Sequence, residues 1–175
     1  MRCDDARVGG GLGVRTPDFR KDHVYPTVLT IHSWLRWASL LLGIAATLNA
    51  FWHRGDIAGR PRGLRWDWSF MLALDLQVLF GLLLYFGYSP FTREAMNNVG
   101  MALRDPNLRF WAITHGATML VALVAVRAGR VFAMGEKTSA ARRNGRCLCF
   151  AIALVAIVAG VPWPGLTNGR PLFRF

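Results

Sequence analysis

Four runs of apolar residues dominate this 175-residue chain. Each is close to the ~20 residues an α-helix needs to cross the hydrocarbon of a bilayer. They cover about 27–52, 68–88, 110–126 and 147–161. The last is short as a purely apolar run, and Pro162, Trp163 and Pro164 extend it into the interface. Inside a bilayer no water is present to bond backbone N–H and C=O groups, so such runs fold as helices. Trp34, Trp37, Trp52, Trp68, Tyr88 and Trp111 gather near the run ends, as in the interfacial belt of spanning helices. The expected fold is all-α, an integral-membrane four-helix up-down bundle over 27–166. A polar N-terminal tail, 1–26, precedes it and a C-terminal tail, 167–175, follows.

Charge orients these runs. The net charge of +11 comes from 21 Lys and Arg against 10 Asp and Glu. In a soluble protein that excess suggests nucleic acid. Here the arginines lie between apolar blocks, so they read as topology and as contacts to lipid headgroups, with no nucleic-acid partner. The first loop carries Arg54, Arg60, Arg62 and Arg65, and the third Arg127, Arg130, Lys137, Arg142, Arg143 and Arg146. The second carries only Arg93, Arg104 and Arg109, and the C-terminal tail Arg170 and Arg174. The positive-inside rule then makes loops one and three cytoplasmic. Both termini and loop two face the outer, periplasmic side of a bacterial inner membrane. Loop two, 89–109, has room for a short amphipathic surface helix, broken at Asp105-Pro106. Cys3, Cys147 and Cys149 form neither a disulfide framework nor a C-x-x-C site.

Ionisable residues inside a membrane are costly, which makes each a candidate functional residue. The first run has His32 and Arg36, the second Asp75, the third His115, and the fourth none. His23 and His53 fall in the tail and at the cytoplasmic edge. His32 comes six residues after Pro26 and His115 six after Arg109, on helices that run the same way. At ~1.5 Å per residue both lie roughly 8–10 Å below their outer helix starts. Paired imidazoles at one level on facing helices are what axial ligation of one b-type haem iron requires. The same faces carry mostly small stripes, Ser39, Gly43, Ala46 and Ala50 beside Thr118, Met119, Ala122 and Val126. Such stripes admit a flat macrocycle, and they also serve ordinary helix packing. Arg36, one turn after His32, suits a propionate, a quinone oxygen or a lipid phosphate. It is equally suited to snorkelling toward the interface, or to a buried pair with Asp75. The closing segment VPWPGLTNGRPLFRF ends the fourth helix with prolines. It then either folds back over the mouth beside His32 and His115 or docks on a neighbouring subunit.

The segments HSWLRW, LDLQVLFGLLLYF followed by SP, FWAITHGATML and PWPGLTNGRPLFRF resemble a group of small bacterial four-helix membrane proteins of cytochrome-b-like type. The resemblance spans about 27–175 and implies a membrane protein that handles haem. Cytochromes b carry paired histidines for two haems. Only one pair is present here, which allows at most one bis-histidine haem.

Two function classes follow. One is a haem-binding electron-transfer protein or subunit, with His32 and His115 on the iron and Arg36 beside a propionate. The other is a haem-free accessory subunit of a larger respiratory or photosynthetic membrane complex, binding lipid or pigment. No nucleophile triad, phosphate loop or metal cluster points to independent catalysis. An uncharged fourth helix argues against a proton-driven transporter.

Overall fold

The computed structural model describes residues 19–52, 61–135 and 138–173, and among them every regular element is helical. The elements are α1 (Phe19–Trp52), α2 (Pro61–Leu83), α3 (Pro90–Asn97), α4 (Val99–Arg104), α5 (Pro106–Arg109), α6 (His115–Met134) and α7 (Ser139–Gly160). Wider π-type turns prolong α2 over Leu84–Tyr88 and lead into α6 over Phe110–Thr114. Four stretches are long and apolar enough to span a membrane: Val24–Trp52, Arg65–Tyr88, Pro106–Met134 and Ser139–Gly160.

The long helices touch in a ring, α1 to α2, α2 to α6, α6 to α7 and α7 back to α1, which sets α1 and α6 across from each other. Leu40, Ala46, Phe70, Leu74, Met119, Ala122, Val126, Phe150, Ala153 and Ile157 fill the centre. Phe70 and Phe150 meet edge-on at 5.7 Å. Lipid tails are as apolar as leucine, so burial against them gives little drive, and close packing has to hold the ring. Small residues permit it: a Cβ on Gly43 would come within 2.7 Å of Leu154, and one on Gly129 within 2.7 Å of Phe150.

Helix ends differ from the sequence expectation. Helix already begins at Phe19, inside the stretch expected as tail, while residues 1–18 and His53 lie outside the described residues. Arg127, Arg130, Arg142, Arg143 and Arg146, read as a loop, are helical, because α6 meets no breaker before Gly135 and α7 starts at the Thr138 cap. In loop two the single expected surface helix is three short ones. Ser89, Asn98 and Asp105 each cap the next, accepting from Thr92 N, Met101 N and Leu108 N at 3.2, 3.0 and 2.8 Å. Thr92, Ala95, Ala102 and Leu108 form their buried side.

At one end of the ring, Arg146 of α7 is fully buried with Asp67 of α2, both side chains at 0% exposure. Arg146 also donates to Asn49 Oδ1 of α1 at 3.3 Å and lies 5.6 Å from the Phe150 ring. This contact ties three helices together through one guanidinium.

Candidate functional site

The opposite end holds His32. Seventeen residues separate His32 from Asn49 on α1, about 25 Å of helix at ~1.5 Å per residue. Here α1, α2, α6 and α7 surround a partly open cavity of about 110 Å³. Both histidines line it, with Ser39, Gln77, Trp111 and Arg170. The His32 and His115 ring centres are 6.3 Å apart, their planes inclined by 67°.

Each imidazole is set by a neighbour on another helix. His115 Nδ1 lies 2.7 Å from the carbonyl oxygen of Gly160. A carbonyl only accepts, so Nδ1 carries the proton and Nε2 keeps its lone pair. The contact depends on Gly160, where a Cβ would stand 2.5 Å from Met119 Cε and Thr118 Oγ1. His32 Nε2 lies 3.1 Å from the Gln77 amide nitrogen, and Nδ1 has no hydrogen-bond partner. Turned over, the same amide accepts from Nε2–H, which leaves the lone pair on Nδ1. Gly81 gives the ring its room, since a Cβ there would come within 3.2 Å of His32 Cε1.

Further polar atoms around the cavity are also without partners. Ser39 is completely buried and Gln77 is 4% exposed. Ser39 Oγ, Gln77 Oε1 and Trp111 Nε1 make no hydrogen bond. Orphaned polar atoms are rare in folded proteins and each calls for an explanation. Four around one cavity, counting His32 Nδ1, suit a site that receives a ligand or water.

The C-terminal segment folds over the mouth. After Gly160 the chain turns through Gly165, whose φ of 93° favours glycine. It then runs back to α1, where Leu172 O accepts from Arg36 Nη2 and, at 3.1 Å, from Trp37 Nε1. Phe173 stacks on Trp37 at 5.3 Å and 14°. The Arg170 guanidinium lies 5.3 Å from the Phe91 ring centre and 5.2 Å from that of Trp111. Of the two placements left open by the sequence, the segment takes the fold-back.

Among the residues singled out in sequence, His32, Arg36 and His115 line this cavity, and Asp75 does not. The suggested Asp75–Arg36 pair is absent. Asp75 faces α6, with Oδ1 3.0 Å from Arg127 Nη1, because it sits about 200° around α2 from Gln77, which takes the inward face. Ser39, expected on the His32 stripe, and Arg170, in the segment given fold-back as one of two placements, both join the site, and Gln77 joins it without having been placed there by sequence. The angular offset between Asp75 and Gln77 was the available signal for Gln77. Among the described residues no cluster of three or more His, Cys, Asp or Glu side chains is arranged to hold a metal ion.

The donor set suits a haem iron in its chemistry. Two imidazoles on opposite sides of one metal, at about 2 Å each, have ring centres roughly 6 Å apart. The space suits it less well: at about 110 Å³ the cavity under the C-terminal segment is smaller than a tetrapyrrole. No family model, curated protein or solved structure matches the chain.

Proposed function

We propose that this protein is a four-helix up-down membrane protein, with both termini periplasmic, that binds one b-type haem between His32 and His115 and serves membrane electron transfer. The observation that carries the reading is the imidazole pair: 6.3 Å between ring centres, one ring fixed by Gly160 O and the other holding an unpartnered Nδ1. Bound haem would supply a one-electron carrier. The chain's own part is to fix the two tautomers through Gly160 and Gln77, and to set Arg36 and Arg170 as cations at the mouth. Guanidinium groups there match carboxylates such as propionates. The cavity volume adds a condition, that haem enters only when residues 170–173 leave Arg36 and Trp37.

An optical spectrum of the protein purified from haem-sufficient cells tests this. The expected result is a Soret band and a reduced α band, both lost in His32→Ala and in His115→Ala. A colourless protein that takes up no added haem rejects the reading. The small cavity favours one second reading, a haem-free accessory subunit of a membrane complex whose histidine layer holds water. Stoichiometric partner subunits in a mild-detergent purification would support it.

A further inference from the structure

Among the described residues, His32, Arg36, Asp67, His115 and Arg146 turn toward the inside of the ring, and the Asp75–Arg127 pair does not. Its side chains are 33% and 51% exposed. Asp75 lies eight residues beyond Asp67 on α2, about 12 Å toward the histidine end, which puts it well within the span. At such depth charged groups normally face protein or a water-filled cavity, because hydrocarbon solvates neither sign. The pair is also incomplete as a bond: Asp75 Oδ1 is out of solvent contact and makes no hydrogen bond, despite the 3.0 Å approach of Arg127. Along the same two stripes, Leu72, Leu79 and Leu82 of α2 and Leu120, Val124 and Val131 of α6 are all at least 40% exposed.

We infer that the α2–α6 face is an interface with a second copy of this chain, in which Asp75 and Arg127 of one protomer meet Arg127 and Asp75 of the other. The charge pattern selects the occupant. One positive and one negative group side by side become complementary to themselves after a two-fold rotation, the symmetry of the commonest oligomers. An apolar helix would cover both charges and pair neither, and a surface of one sign would repel half of the pair. Enclosed between two copies, four alternating charges are removed from lipid together and each carboxylate gains a second cationic neighbour. The inference is independent of whether haem is bound.

Cysteine crosslinking in native membranes tests it, in a full chain with Cys3, Cys147 and Cys149 changed to serine. Leu79→Cys and Val124→Cys should give a disulfide-linked product of twice the chain mass. Leu41→Cys and Val155→Cys, 67% and 69% exposed but on α1 and α7, should give none. Adding Asp75→Asn should lower the dimer fraction about threefold or more. The double exchange Asp75→Arg with Arg127→Asp should recover it, which separates lost pairing from lost folding. Equal crosslinking at the control positions, an adduct of a different mass, a dimer fraction unmoved by Asp75→Asn, or single chains by photobleaching would each overturn the inference.

Discussion

At one end of the ring Arg146 and Asp67 neutralise each other with no exposed surface, and Asn49 takes a further guanidinium bond. At the other, His32, Ser39, Gln77 and Trp111 each keep an atom without a partner around a cavity. The two layers are some 25 Å apart along α1, with the apolar cluster around Phe70 and Phe150 between. They use polar groups for different ends. The arginine layer is shut off from solvent and joins three helices, although Asp67 Oδ2 makes no hydrogen bond, so its cost of burial is offset only while both charges are present. The histidine layer sets its unused donors and acceptors around a cavity, where something else has room to complete the bonding.

The contrast breaks most sharply at Arg146. Arg146→Ala should destabilise the protein by about 3–5 kcal/mol, because Asp67 is then left buried and unpaired. Thermal unfolding in mild detergent measures this, and the double change Arg146→Met with Asp67→Leu should recover most of the loss. If Arg146→Ala cost no more than His115→Ala, the distinction between the layers would fail. Gly160→Ala comes next, at about 1–3 kcal/mol, since its Cβ overlaps Met119 and Thr118. The same substitution moves the carbonyl that orients His115, so haem uptake should fall with it. Gln77→Leu removes one partner of His32 at a cavity wall and should cost about 1 kcal/mol or less. A chain ending after Gly169 should lose the least stability, within about 1 kcal/mol, while taking up haem faster than the full chain. Stopped-flow absorbance decides that last point, and equal rates would show that the C-terminal segment does not control entry.

Hydropathy made the helical character and the four spans legible, because a spanning helix must satisfy its backbone over a fixed length. The level shared by His32 and His115 was counted from starts at Pro26 and Arg109, and the rings do meet at 6.3 Å although α1 begins earlier, at Phe19, and helix precedes Arg109 from Pro106. Asp67 was not. An apolar run drawn from Trp68 excludes it by one residue, and Arg146 was counted as a loop charge. Both helices continue past the apolar run, so the two residues meet inside the ring. Hydropathy marks where hydrocarbon begins and carries no information on where helix ends. For Arg170 the sequence left two placements open for another reason: a segment after the last helix has no periodicity, and its path is set by contacts to Trp37, Phe91 and Trp111 that only the folded chain brings together.

The two π-type turns, Leu84–Tyr88 and Phe110–Thr114, carry a consequence for the phase of everything outside the histidine layer. They face each other, with Tyr85 OH donating to Ala112 O at 2.8 Å. A π-type turn holds one residue more than regular helix, and one residue corresponds to about 100° of rotation. Each turn therefore acts as a single-residue insertion that resets the angle at which the outer segment leaves its helix. Deleting one residue within 110–114 would straighten the entry to α6 and swing Trp111, Phe91 and the α3–α5 cap around the axis, away from His115. The mouth of the cavity is in that sense set by chain length, counted in single residues, as much as by the side chains that line it.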